Sequence, residues 1–211
     1  MKEKLAEKMQ QEKNNTGKMN NKVEIVNTEI LSDHWYTLKK VTYNYTRSDG
    51  TVQKQVREAY DRGNGAAVLL YNPRKKTVLL TRQFRLPAYI NGHPTGMIIE
   101  VCAGLLDESN PEDCVIREAE EETGYKIPKV TKVYEAYMSP GAVTEILHFF
   151  IGEYDDSMKV ADGGGMEHEQ EDIEVLEVPY AEILAMMKAG EIRDAKTIML
   201  LLHARAEGII V

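Results

Sequence analysis

Between Asn110 and Gly124 the chain carries a helix whose two ends are both chemically marked and whose second half is crowded with carboxylates. Asn110 can cap it, and Pro111 suits the first helical position because it lacks a donor that would be unpaired there. Glu112 and Asp113 complement the helix dipole. Gly124 is placed to end the helix in a left-handed conformation. Propensity does not explain the rest. Glu118 and Glu122 are four residues apart and Glu121 is three from Glu118. Three carboxylates therefore share one face, where each like pair costs roughly a few tenths of a kcal/mol. A divalent cation reverses the sign of that arrangement, and all-oxygen donors favour a hard ion such as Mg²⁺ or Mn²⁺ over zinc. A solvated acidic face is the plainer reading of an isolated glutamate run. The loop, cap and terminal glycine around this one weaken it.

The flanking sequence reads as mixed α/β. Residues 1–22 mix Lys, Glu, Gln and Asn with few large apolar residues and are expected to form a mobile extension. Residues 23–61 hold three strand patterns, Val23–Leu31, Tyr36–Arg47 and Thr51–Tyr60, the last two joined by Ser48-Asp49-Gly50. They predict a small antiparallel module. In residues 62–211, the runs Ala66–Tyr71 and Thr77–Phe84 are continuously apolar, which suggests strands covered on both faces. Met97–Val101, Lys129–Tyr137, Glu145–Tyr154 and Ile173–Val178 are further strand candidates. Helical pattern returns at Tyr180–Lys188, with Gly190 as its stop, and at Ala195–Ala206.

Charge narrows the function. Thirty-four acidic residues against twenty-six basic ones give a net charge of −8, which disfavours broad attraction to nucleic acid or anionic lipid. An acidic chain that handles phosphates needs a metal or a local cluster of cations. No run approaches the ~20 apolar residues of a membrane span, and the N-terminus has no apolar run of signal-peptide type, so a cytoplasmic protein with no membrane partner is expected. The two cysteines, Cys102 and Cys114, lack zinc or redox spacing and read as buried thiols. There is no serine-histidine-acid order and no Walker lysine loop.

The segment Gly104–Tyr125 resembles the Nudix box, whose pattern is Gly, five residues, Glu, seven residues, then Arg-Glu-bulky-x-Glu-Glu-x-Gly-bulky. The second half matches as Arg117-Glu118-Ala119-Glu120-Glu121-Glu122-Thr123-Gly124-Tyr125. In the first half Gly104 is in place, but Asn110 stands at the Glu position and six residues separate it from Arg117. That change bears on a supporting salt bridge to Arg117 rather than on the metal ligands. The segments Arg62-Gly63-Asn64-Gly65, Arg82-Gln83-Phe84-Arg85, Met138-Ser139-Pro140-Gly141 and Ile192-Arg193-Asp194-Ala195-Lys196-Thr197 look like the nucleoside-diphosphate-sugar branch of the family. The resemblance runs from about Glu29 to Leu202.

The resemblance implies a Nudix α/β/α sandwich with a mixed central sheet, preceded by the small β module. It implies Mg²⁺-dependent hydrolysis, with Mn²⁺ as an alternative, of the pyrophosphate bond of a nucleoside diphosphate sugar. GDP-mannose, giving GMP and mannose 1-phosphate, is the leading substrate, and ADP-ribose is its rival. A catalytically silent Nudix domain that senses nucleotide is a third reading, against which the intact Arg117, Glu118, Glu121 and Glu122 argue. By family similarity Glu118 and Glu122 are the main metal ligands, with the Ala103 carbonyl beside Gly104 as another and Glu121 in support. A late loop supplies a further Glu. Aligning on Asp172-Ile173-Glu174 selects Glu171, with Glu167 and Glu169 as alternatives and Gly163-Gly164-Gly165 as the kind of segment a closing flap needs. A mobile acidic loop is the plainer reading of that run.

Substrate contacts are expected at Val56, Arg57, Glu58, Arg85, Ala103, Gly104, Glu145, Gly165, Met166 and Lys196. Arginine suits phosphate because its planar fork grips two oxygens at once; for Arg57 and Arg85 the alternative is ordinary pairing with Glu. Trp35, the only tryptophan, falls where the branch stacks an aromatic on the base, although anchoring a small sheet is the commoner role of a lone Trp. In the branch the β module completes the site of a homodimeric partner, so Trp35, Val56, Arg57, Glu58 and Arg85 would serve the other subunit.

Overall fold

The computed structural model describes residues 22–106, 110–166 and 171–210. These form two compact units that divide between Arg62 and Gly63.

The N-terminal unit is a three-stranded antiparallel sheet in the order β1 (Val23–Asp33), β2 (Thr37–Thr46), β3 (Val52–Asp61). β2 and β3 pair without a break from Thr37 opposite Asp61 to Thr46 opposite Val52. Asp49 fixes the turn between them by accepting from the Thr51 N–H at 2.9 Å. Cross-strand polar pairs run along the ladder, including Lys40 with Glu29 and Tyr43 with Gln55. Ile25, Val26, Ile30, Leu31, Val52 and Val56 remain exposed.

The second unit is built on a seven-stranded sheet. β4 (Gly65–Asn72) lies at its centre, with β5 (Thr77–Phe84) on one side and β9 (Ile146–Glu153) on the other. β8 (Thr131–Tyr137) flanks β9 and β10 (Glu174–Pro179) flanks β5. The β4–β9 pairing is parallel and the rest antiparallel, so the sheet is mixed. Two short strands extend it: β6 (Met97–Glu100) pairs with β5, and β7 (Cys102–Leu105) pairs with β4. Helices α3 (Tyr180–Ala189) and α4 (Ala195–Ala206) contribute to one apolar core on the sheet, through residues such as Ile183, Leu200 and Leu201 against Ala67, Leu69, Leu80 and Phe149. Helix α2 (Pro111–Thr123) supplies Val115 and Ala119 to the other, against Ala66, Val68, Leu70 and Phe150. Alternate residues of β4 thus enter different cores, which is why its sequence is apolar throughout. The architecture is the expected α/β/α sandwich preceded by a β module. Among the described residues no helix is long and apolar enough to cross a membrane.

Candidate active site

Helix α2 begins and ends as its sequence requires. Asn110 adopts an extended backbone and its side-chain oxygen accepts from the Glu112 and Asp113 N–H groups, each at 3.0 Å. Gly124 takes φ +78, and its N–H donates to the Glu120 carbonyl. The helix packs Cys114, Val115 and Ala119 into the sheet, which carries Glu118 and Glu122 toward the end of β7. Gly104 on that strand lies directly against Glu118: a β-carbon there would collide with the carboxylate. Glycine is needed for that approach. A β-carbon on Gly65 would meet the Gly104 carbonyl and come 3.4 Å from Glu145 Oε1, so Glu145 stands at the same end of the sheet.

The late loop is tied to the same helix. Gly164 N–H donates to the Glu122 carbonyl at 2.9 Å and Gly165 N–H to the Glu121 carbonyl at 3.1 Å, satisfying acceptors that a helix end leaves open. Gly163, Gly164 and Gly165 all have positive φ. Expected as the root of a flap, the triplet is docked on helix α2. The loop closes through Ile173 N–H to the Gly164 carbonyl at 3.2 Å, and Glu171 Oε2 accepts from the Met166 N–H at 3.1 Å. Glu167 and Glu169 lie outside the described residues.

Electrostatics marks Glu122 as the centre of this cluster. It is 1% exposed, and its Oε2 has no hydrogen-bond partner among the described residues. Burial raises its carboxyl; a hydrogen bond from Cys102 and the Arg85 charge oppose this, the Glu118 and Glu171 charges add to it, and the result is about 8. Burial and the same carboxylates hold the Cys102 thiol well above its usual range, so it stays an S–H donor. Arg117 is drawn to the exposed side, 3.2 Å from both Glu118 and Glu121.

A buried, orphaned carboxylate oxygen among like charges is chemistry that a hard divalent cation satisfies. Glu118, Glu122 and Glu171, with main-chain oxygen at Ala103, provide the donor types it takes. Among the described residues no three acidic, thiol or imidazole side chains are already closed around one point.

Two expected substrate residues meet nearby. Arg85, between β5 and the short helix α1 (Leu86–Ile90), makes a two-pronged bond with Glu100, Nε to Oε1 at 2.9 Å and Nη2 to Oε2 at 2.8 Å. Lys196 in the first turn of α4 donates to the same Oε2 at 2.7 Å. The remaining four, Trp35, Val56, Arg57 and Glu58, belong to the N-terminal unit. Trp35 is 80% exposed and packs edge-on to Tyr36, which removes the anchoring role. Arg57 faces Val41 across the ladder and donates to the Val56 carbonyl.

Sequence reasoning missed Glu100, Cys102 and Asn64. Asn64 accepts the Ile146 N–H with its side chain and the Leu106 N–H with its carbonyl, both at 2.9 Å, joining β9 to the chain after β7. The signal for Glu100 was available: one acid in the apolar run Met97-Ile98-Ile99-Glu100-Val101-Cys102-Ala103.

Residues 61–201 match the family described as NUDIX domain. The chain belongs to the Nudix family. Residues 22–60 of this Nudix protein match a second family, described as GDP-mannose pyrophosphatase NudK N-terminal domain. A GDP-mannose pyrophosphatase of Pectobacterium atrosepticum is 55% identical over 190 residues, 90% of this chain and 97% of that one. One from Cronobacter sakazakii is 54% identical over 89% of this chain and 97% of its own, and one from Escherichia coli O1:K1 is 55% identical over 87% and 95%. The crystal structure of an ADP compounds hydrolase superposes with a TM-score of 0.68 at 19% identity, covering 90% of this chain and 96% of that one, a likeness of fold.

Proposed function

We propose that this protein is a Mg²⁺-dependent pyrophosphohydrolase that cleaves GDP-mannose to GMP and mannose 1-phosphate, acting in the cytoplasm as a homodimer. What carries the substrate is the 55% identity over 90% of the chain to a protein named GDP-mannose pyrophosphatase. What supports the chemistry is the orphaned Glu122 oxygen beside Glu118 and Glu171.

Glu118, Glu122, Glu171 and the Ala103 carbonyl would hold Mg²⁺, with Mn²⁺ able to substitute and Glu121 supporting from the helix face. When bound, the cation offsets the charge of the pyrophosphate and makes water easier to deprotonate. The chain does the rest. Arg85 and Lys196 grip anionic oxygens of the substrate and Glu145 accepts hydrogen bonds from its hydroxyl groups, while the β-module residues Trp35, Val56, Arg57 and Glu58 would serve the other subunit's substrate. The backbone at Gly104, Gly165 and Met166 lines the substrate's path, and Trp35 stacks on the base in that other site. One loop carboxylate, Glu171 or its neighbours Glu167 and Glu169, takes the proton of the attacking water. The water oxygen bonds to one phosphorus, the bridging P–O bond breaks, and the two monophosphates leave. Arg117 keeps Glu118 and Glu121 oriented.

Incubation of the purified protein with Mg²⁺ and either GDP-mannose or ADP-ribose, with products resolved by chromatography, tests the reading. GMP released much faster than AMP is the expected result. The reverse order would transfer the mechanism to ADP-ribose. Release of neither, with Mn²⁺ also tried, would leave a silent binding domain. Sharing of the site between subunits is tested by mixing Arg57→Ala and Glu122→Gln proteins. Partial recovery of activity is expected, and none after confirmed subunit exchange would place both residues in one chain's site.

A further inference from the structure

Glu100 ends β6 and is 3% exposed, yet no part of the proposed chemistry uses it. Its two oxygens receive three charge-assisted hydrogen bonds, two from Arg85 and one from Lys196. We propose that Glu100 is a positioning residue whose single buried carboxylate fixes Arg85 and Lys196 as a matched pair, leaving their other N–H groups aimed at the anionic oxygens of the substrate. The proposal rests on the reading that those two cations touch substrate.

Donor arithmetic supports it. A guanidinium has five N–H donors, and the fork to Glu100 occupies the Nε and one Nη2 position, so the Nη1 edge is not engaged by that fork. Lys196 has three donors and gives two, to Glu100 at 2.7 Å and Asp194 at 3.1 Å. Exposure follows the same gradient: the Glu100 side chain is 4% exposed, that of Lys196 14% and that of Arg85 42%. The anion is at the bottom and the guanidinium opens outward. Fixing a long cation beforehand removes an entropy cost that substrate would otherwise bear.

The backbone makes the arrangement stiff. Between β6 and β7 the chain passes from pairing with β5 to pairing with β4, and the Val101 N–H at the crossing donates to Thr197 Oγ1 at 2.8 Å. Thr197 also donates to Asp194, which caps α4 and pairs with Lys196. Strand crossing and helix start are therefore one hydrogen-bonded ring that includes Glu100 and Lys196. The run Glu100–Gly104 then holds the cation pair at one end and faces Glu118 at the other. Burial works against the charge on Glu100, but the Arg85 and Lys196 interactions bring its carboxyl down to about 2, so it is ionised at neutral pH.

A carboxylate kept only to hold the fold would affect unfolding and leave substrate affinity alone. The test is steady-state kinetics on the full chain with Mg²⁺ and GDP-mannose. Glu100→Gln keeps the shape and loses the charge, and is expected to raise KM about tenfold while changing kcat less than about threefold. Glu100→Asp is expected to fall between, and serves if the Gln variant is not recovered folded. Arg85→Ala and Lys196→Ala are measured alongside. Combined with Arg85→Ala, Glu100→Gln is expected to add less than about twofold to KM, because both changes remove one unit. If Arg85→Ala raises KM and neither Glu100 variant does, positioning by Glu100 is overturned while the substrate reading stands. If Arg85→Ala and Lys196→Ala both leave KM unchanged, the substrate reading falls and the proposal with it.

Discussion

Glu100 and Glu122 lie twenty-two positions apart, are 3% and 1% exposed, and sit in opposite electrostatic states. Burial works against ionisation in both. At Glu100 two cations from the same chain answer it, and the carboxyl is held near 2. At Glu122 the neighbours are Glu118 and Glu171, and the carboxyl is raised to about 8. One carboxyl is held ionised by two cations of the fold; at the other the Cys102 hydrogen bond and the Arg85 charge do not offset burial and two like charges, and it stays protonated at neutral pH. Satisfied buried charge marks a framework, whereas unsatisfied buried charge marks a place built for something that arrives from outside.

The sharpest way to break the comparison is Glu122→Gln. Loss of this proposed metal ligand is expected to lower kcat by about 10³-fold, equivalent to about 4 kcal/mol of barrier. Circular dichroism is expected to be unchanged, because an amide of the same shape replaces a carboxyl whose Oε2 has no hydrogen-bond partner among the described residues. Mg²⁺ is expected to raise the unfolding midpoint of the wild type relative to chelator and to leave that of the variant where it was. Turnover within tenfold of wild type would remove Glu122 from the metal site.

Glu100 is expected to respond the other way, in stability. Its folded value of about 2 lies below the ordinary 4.5, so its contribution is complete above pH 4.5 and is lost as pH falls toward 2. Glu100→Gln is expected to cost about 3 kcal/mol at pH 7 by urea unfolding. The gap from wild type is expected to close steadily between pH 4.5 and 2. A gap independent of pH would mean that Arg85 and Lys196 do not hold the carboxylate in solution.

A smaller effect tests how the loop is held to the helix. Gly165 has φ +80, and a β-carbon there would strike the Glu171 carboxylate. Gly165→Ala is expected to lower kcat about tenfold by displacing Glu171, with less change at Gly164→Ala, where the nearest atom is 3.7 Å away. Equal effects at the two glycines would point to backbone strain, which both share, instead of to Glu171.

These contrasts also show where the sequence was legible. The strands read from alternation and from apolar runs, and the caps of α2 read from Asn110, Pro111 and Gly124, because each signal is local. The split at Glu100–Cys102 did not read, since Met97–Val101 looks like one strand and only the sheet decides that the chain changes partners at Val101. Helix α1 was missed for a related reason: five residues are too few for a period. In the site, carboxylates on one helix were visible by spacing. Glu100 was not, because its partners Arg85 and Lys196 lie 15 and 96 positions away. The docking of the glycine triplet on α2 did not read, because composition reports that a backbone can bend and says nothing of what it bends against.

The smallest expected effect concerns Asn110, the position where the box departs from its pattern. Its side chain accepts two N–H groups at the start of α2, the role of a cap. Arg117, whose usual partner would stand there, is instead held at 3.2 Å by Glu118 and Glu121 on its own helix. The departure therefore moves Asn110 from the salt-bridge network to the helix terminus, about two turns from Glu118. Asn110→Ala is expected to cost about 1 kcal/mol of stability and to leave kcat within about twofold. Thermal unfolding and steady-state turnover measured on the same preparation check both halves. A large loss of kcat with the unfolding midpoint unchanged would give Asn110 a place in the chemistry and would mean that the metal site extends past Glu118 toward the start of the helix.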